Sequence, residues 1–304
     1  MAPPPFCPEI EQAVSAKLRE ALDAAAAPSM DRNPETGRLA PSLTPEKRTA
    51  PERWTLKRLV DWIETTFNIH PCKETVRKAL KRLNFSWKKA KALLNRASTA
   101  ARERFVEQIQ FWMQQTLSAN PPLLVYMDEA HIHQEADLGY GWAPRGKRLW
   151  VRSHTPGLSA KVSFYGLYFY NQGQVAIWDF PRANTEHTKT VLRRLREREP
   201  ARRITLFWAG ASYHRSKDVR TLAQELEITV QPLPSYSPDF MPVESLWRWL
   251  RENVTYHHCH ATAKELIERV HNFVQTINAV PSVVANRLHA KTKLDQTEEK
   301  LRIP

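Results

Sequence analysis

From residue 123 onward, short apolar runs alternate with longer amphipathic stretches, and this alternation constrains the fold more than any other feature. Residues 123–127 (Leu-Leu-Val-Tyr-Met) have the length and composition of a buried strand, and the run ends at Asp128. Residues 162–170 and 174–180 form two more strands across the turn Asn171-Gln172-Gly173. Residues 204–208 and 228–232 are short apolar strands as well, separated by helical stretches at 185–199 and 216–226. Helices over 242–254 and 262–277 follow. Three strands in succession, then helix and strand in alternation, predict an α/β fold with a mixed sheet and helices packed on it.

The chain before residue 120 has a different texture. Residues 9–27 carry Ile10, Val14, Leu18 and Leu22 at a spacing of four, so a helix is expected. Residues 28–53 shift to Pro, Ser, Thr and charge, which predicts an exposed linker. Leu56, Leu59, Val60, Ile63 and Phe67 then line one face of a helix that Pro71 prevents from continuing. A second helix from about Lys73 turns Val76, Leu80 and Leu83 inward and carries a basic outer face. Phe85 to Lys91 reads as an aromatic, basic strand or wing.

Two short helices, a tight turn and a basic second helix are the pattern of a helix-turn-helix, in which apolar residues hold the second helix from behind while its front meets phosphates and base edges. A solvated helical hairpin would show the same local pattern, and here the global charge decides. With 45 Lys and Arg against 32 Asp and Glu the net charge is +13, which favours a polyanion partner. The DNA-contacting candidates are Lys73, Thr75, Arg77, Lys78, Lys81, Arg82, Lys88 and Lys89. Residues 98–118 predict a longer connecting helix, and Asn120-Pro121-Pro122 marks the main boundary. The expected organisation is an N-terminal helix and linker (1–52), a helix-turn-helix domain (53–97), a linker helix (98–120), an α/β domain (121–290) and a charged, frayed tail (291–304).

Asp128, at a strand end, is aimed at the crevice beyond the sheet, while Glu129 faces the other side because strand neighbours alternate. Glu244 falls in the first turn of a helix opened by Pro242, at the edge of the stripe Val243, Leu246, Trp247, Leu250 and Val254. Each carboxylate alone is as well explained as a cap or surface charge. Together they suit a hard divalent cation. The strand at 204–208 ends beside them in Ala209, which offers no ligand.

The stretches around Asp128 (Val-Tyr-Met-Asp-Glu-Ala-His), from Trp208 to His214, and from Tyr236 to Trp247 resemble the IS630 branch of the IS630/Tc1/mariner transposases. The resemblance covers most of residues 123–277. It implies an RNase H-like catalytic domain behind a winged helix-turn-helix, with an Asp, Asp, Glu triad holding two Mg²⁺ ions, or Mn²⁺ in their place. In that family 34 residues typically separate the second and third acids, and 34 residues lie between positions 209 and 244 here. Asp128 and Glu244 therefore match the first and third catalytic positions, and Ala209 stands at the second. Trp208, Gly210, Ala211 and His214 are retained around it, as a single deliberate exchange would leave them; decay removes several motif residues together.

The resemblance further implies binding of double-stranded DNA at terminal inverted repeats, cut-and-paste insertion at TA targets, and a homodimer that joins two ends. The chain as written is expected to bind DNA without cutting it. The alternative is a domesticated, non-catalytic DNA-binding regulator; a third option is an RNase H-like nuclease without transposition. The family commonly carries two helix-turn-helix units, and only one is evident here. A remnant of the other, or a dimerisation element, would explain residues 9–27.

Cys7, Cys72 and Cys259 lack CxxC spacing, which argues against a disulfide framework. No apolar run reaches the ~20 residues of a membrane span. A cytoplasmic, prokaryotic location without membrane contact is expected. Tyr256-His257-His258-Cys259-His260 crowds four metal-capable side chains with no second cluster at finger spacing, so a polar loop is favoured over zinc. His214 either hydrogen-bonds near the site or caps the next helix. Trp142 is expected to pack or to sit in an interface, and His131 and His133 to share one strand face.

Overall fold

The computed structural model describes residues 6–26, 30–32, 39–41, 53–88, 97–153, 160–296 and 299. The chain divides into two compact units, the break falling between Leu93 and Leu94.

In the N-terminal unit, helix α1 (Pro8–Ala26) is followed by two short antiparallel strands, β1 (Met30–Arg32) and β2 (Leu39–Pro41), within the stretch expected to be linker. Helices α2 (Leu56–Phe67) and α3 (Lys73–Arg82) come next. The Thr55 hydroxyl accepts from the Arg58 amide at 3.3 Å, and Asn68 ends α2 in the left-handed conformation at φ 55°. Ile10 and Val14 of α1 share one core with Leu59, Val60, Ile63 and Val76. Helix α1 is thus the third wall of the helix-turn-helix core. Phe85 to Lys88 form no strand, and the rest of the expected wing lies outside the described residues.

The second unit opens with α4 (Thr99–Gln115). Its Phe105 and Ile109 are buried in the main core, so this helix belongs to the α/β unit and the boundary expected before Asn120 is corrected to residue 94. Strands β3 (Leu123–His133), β4 (Lys161–Phe169) and β5 (Gln174–Phe180) pair antiparallel; helix α5 (Thr185–Arg198) follows. Next come β6 (Ile204–Trp208), α6 (Lys217–Glu225) and β7 (Ile228–Pro232), the two strands being parallel to β3. Helices α7 (Val243–Leu250), α8 (Ala263–Asn278) and α9 (Pro281–Arg287) complete the unit, with a π-turn at Arg251–Thr255 after α7.

The sheet order is β5-β4-β3-β6-β7, the mixed, RNase H-like sheet expected. Both faces are covered. Leu124, Tyr126, Ala130, Ile132 and Phe207 pack with α4, α7 and α8 on one face; Leu123, Val125, Met127 and Trp208 pack with α5 and α6 on the other. This explains why β4 is buried along nearly its whole length.

Arg102 of α4 is fully buried and donates to Asp239 at 2.9 and 2.8 Å and to Glu299 at 2.9 Å. Its guanidinium also lies over the Phe240 ring. Lys291 donates to Asp239 at 2.6 Å. These bonds hold the short turn before α7. They also correct the expectation of a frayed tail, because Lys291 and the buried Glu299 are part of the core network.

Candidate active site

Strand β3 does not stop at Asp128 but continues five residues to His133. What ends there is its partner: the parallel pairing with β6 closes at Met127 opposite Trp208. Asp128 and Ala209 therefore follow the last paired rung of two adjacent parallel strands. Alternation places both toward the face covered by α7, since Tyr126 and Phe207 belong to that core. This is the crevice beyond strand ends where open α/β sheets bind ligands.

Helix α7 brings the third position. Pro242 stands at its N-cap with φ −64°, which proline favours, and Glu244 is in its first turn. Val243, Leu246 and Trp247 anchor the helix on the sheet, leaving Glu244 exposed at the rim. The Trp247 indole Nε1–H donates to Asp128 Oδ2 at 3.0 Å. Burial pushes the Asp128 carboxyl up to about 7, and the negative charges of Glu244 and Glu129 add to that rise. Asp128 and Glu244 are thus close enough to repel, which is the donor set a divalent cation would relieve. The fit is partial. Among the described residues no group of three His, Cys, Asp or Glu side chains is placed to hold a metal, and the third position here is the Ala209 methyl.

Glu129 faces the opposite side, as alternation requires. His214 Nε2–H donates to Glu129 Oε1 at 2.8 Å, and His214 Nδ1–H donates to the Ala209 carbonyl at 2.7 Å. An acceptor at each ring nitrogen favours the protonated imidazole. Burial alone would lower its pKa, but the Glu129 carboxylate and the Ala209 carbonyl outweigh it, and the net shift is upward. The ring stacks on Trp208 at 4.6 Å and 3°, and the Tyr213 hydroxyl also bonds Glu129. Of the two roles open to His214, the first holds; Ser216 caps α6 instead, accepting from Val219 at 3.3 Å. Sequence reasoning missed this pair because its members are 85 residues apart.

On α3, Lys73, Arg77, Lys78, Lys81 and Arg82 are exposed, as is Lys88 beyond it. Arg77 pairs with Glu74 at 2.7 Å, and Arg82 reaches Glu11 of α1 at 3.1 Å. Thr75 is a correction: it is buried, its hydroxyl 3.2 Å from Cys72 Sγ, because it falls on the core side of α3 next to Val76. Lys89 lies outside the described residues. His257, His258 and His260 turn to separate partners: the Gly139 carbonyl, Glu265 and the Gln134 carbonyl. Trp142 does not pack; it and Tyr140 are fully exposed. Among the described residues no helix is long and apolar enough to cross a membrane.

Residues 123–267 match the DDE superfamily endonuclease family, and residues 50–109 match a winged helix-turn helix family. The insertion element IS630 uncharacterized 39 kDa protein of Shigella sonnei is 25% identical over 231 residues, 75% of this chain and 66% of that protein. The chain therefore spans just under two thirds of that relative. Among solved structures, the Mos1 transposase paired-end complex with left transposon end is similar at 16% identity and a TM-score of 0.59, covering 82% of this chain and 73% of that one. The mariner Mos1 paired end complex with Mg is similar at 15% identity and a TM-score of 0.55, covering 79% and 76%. At such identities these structures establish the fold. The sheet order, positions 128 and 209 just past the last paired rung of β3 and β6, Glu244 on α7, and the two family matches along most of the length agree: residues 123–267 are a DDE superfamily endonuclease domain behind a winged helix-turn helix, an organisation similar to that of the IS630/Tc1/mariner transposases.

Proposed function

We propose that this chain is a DNA transposase whose parent form cuts and pastes an element bounded by terminal inverted repeats into TA targets, and that the Ala209 form binds those ends without cutting them. One observation carries the proposal. Positions 128 and 209 follow the last rung of adjacent parallel strands, and the helix that carries Glu244 reaches Asp128 through the Trp247 hydrogen bond. Two carboxylates and an empty third place around one crevice are what a metal-dependent phosphoryl-transfer site would leave after one ligand is lost.

Asp128 and Glu244 would hold Mg²⁺, or Mn²⁺ in its place, with position 209 supplying the missing ligand. Bound divalent ions supply the charge that activates an attacking oxygen and stabilises a leaving one. The likeness to Mos1 complexes crystallised with Mg and with Mn supports that choice of ion. The rest is the work of the chain. Asp128 is held rigidly in β3, Glu244 rides the first turn of α7, and His214 ties down the backbone at position 209. Lys73, Lys78, Lys81 and Lys88 would meet DNA phosphates, with Arg77 and Arg82 exchanging their present carboxylate partners for phosphate. Two ends must be joined, so a homodimer is the expected assembly; the likeness to a Mos1 transposase paired-end complex supports it.

The deciding experiment is Ala209→Asp, assayed for Mg²⁺-dependent cleavage of transposon-end DNA beside the parent chain. Cleavage by the Asp form alone is expected. Equal rates, or equal inactivity with DNA binding intact, overturn the assignment, and equal inactivity favours a non-catalytic regulator.

A further inference from the structure

Asp128 is oriented from across the sheet. The residue opposite it on β4 is Gly166. A glycine inside a strand weakens it unless something must approach closely, and here something does. A Cβ on Gly166 would stand 2.6 Å from both Cη2 and Cζ2 of Trp247 and 3.1 Å from Val243 Cγ1. The missing side chain is the space in which the buried benzo edge of the indole lies, and with the ring seated there its Nε1–H reaches Asp128 Oδ2 at 3.0 Å. An indole nitrogen can only donate, so it fixes one oxygen of the carboxylate and with it the plane of the group. Trp247 is also one helical turn beyond Glu244, on the same side of α7. The helix that carries the third acid therefore also carries the donor that sets the first.

We infer that Trp247, seated in the space left by Gly166, is a positioning residue that sets the Asp128 carboxylate relative to Glu244 for divalent-cation binding. This rests on the function proposed above. Partners that orient metal ligands from behind typically account for roughly 10–100-fold in metal affinity or activity. Removing the indole N–H is expected to cost a loss in that range, with DNA affinity unchanged because Trp247 is a buried residue of the other unit and no part of the helix-turn-helix.

The test uses the full chain carrying Ala209→Asp. Trp247 is replaced site-specifically by 3-benzothienylalanine, which keeps the ring shape and removes the N–H. Gly166→Ala in the same background keeps the indole N–H but moves the ring that aims it at Asp128. Mn²⁺ affinity by electron paramagnetic resonance, single-turnover cleavage, end-DNA affinity and thermal midpoint are measured for each. The expected result is about 10–100-fold weaker Mn²⁺ binding and slower cleavage in both variants with DNA affinity near the parent value, the thermal midpoint staying near the parent for the benzothienyl variant and falling for Gly166→Ala, whose Cβ overpacks the ring. Benzothienyl protein that binds Mn²⁺ and cuts like its parent overturns the inference and leaves the proposed function standing. An Ala209→Asp protein that neither binds Mn²⁺ nor cuts overturns the function and this inference together.

Discussion

Asp128 and Glu129 are neighbours on one strand, yet the two faces of the sheet treat them in opposite ways. Glu129 is supplied with partners: the ring of His214, whose protonated form it favours, and the hydroxyl of Tyr213. Asp128 accepts from the neutral Trp247 indole and a backbone N–H, and the negative charges of Glu244 and Glu129 work against its ionised form. A carboxylate that serves the fold brings its counter-charge with it. One that serves a ligand leaves that charge to be supplied from outside. The back face is complete in this chain, and on the proposed reading the front face is two thirds of a site.

The largest expected effect comes from breaking the back face. His214→Ala strands a buried carboxylate and removes the ring stacked on Trp208, so a loss of about 3–5 kcal/mol in urea unfolding is expected. If the loss is within 1 kcal/mol or so, the pair is not the brace its geometry describes.

Completing the front face comes next. Ala209→Asp adds a third carboxylate where two already repel, so the thermal midpoint in chelator should fall below that of the parent. Saturating Mg²⁺ should then raise it, by about 2.7 kcal/mol at a hundred times the dissociation constant. A parent chain that gains as much from Mg²⁺ would mean that the third ligand is dispensable.

A smaller effect separates the two neighbours by sign. At pH 8, Asp128→Asn should stabilise the metal-free protein by on the order of 1–2 kcal/mol, because the raised pKa makes the charged form costly. Glu129→Gln should destabilise it under the same conditions. The Asp128 pKa lies above its unfolded value, so its favourable contribution is present in acid and is lost as pH rises through about 7. The Asn gain should therefore shrink below that pH. Equal signs for the two variants would remove the distinction.

Much of this architecture is legible in the chain. Strands β6 and β7 have the bounds that their apolar runs predict, since Arg203 and Glu227 precede them and the breakers Gly210 and Pro232 close them. Beyond Asp128, β3 was hidden because Glu129, His131 and His133 give its second half a polar face, and only Ala130 and Ile132 point inward. The stripe of Phe105 and Ile109 announces a helix without saying which core covers it. The three acidic positions are legible from motif and spacing. The devices that hold two of them are not, because they depend on register. Trp247 reads as one more core aromatic until Gly166 is found opposite Asp128, and His214 meets Glu129 only through the fold.

A third carboxylate offers the mildest test, on the acid limb. Asp239 also carries its own counter-charges: burial pushes its carboxyl up, but Arg102 and Lys291 outweigh this and hold it well below the usual carboxylate range. A depressed pKa contributes stability that is present above the unfolded value near 3.9 and is lost as pH falls below it. The side chain is 27% exposed, so solvent screening discounts the effect to on the order of 1 kcal/mol between pH 5 and pH 2. Asp239→Asn should flatten that limb of the urea midpoint and leave the neutral region unchanged, whereas Asp128→Asn should flatten the neutral region and leave the acid limb. If the two variants flatten the same limb, compensated and uncompensated carboxylates are not distinct in this protein.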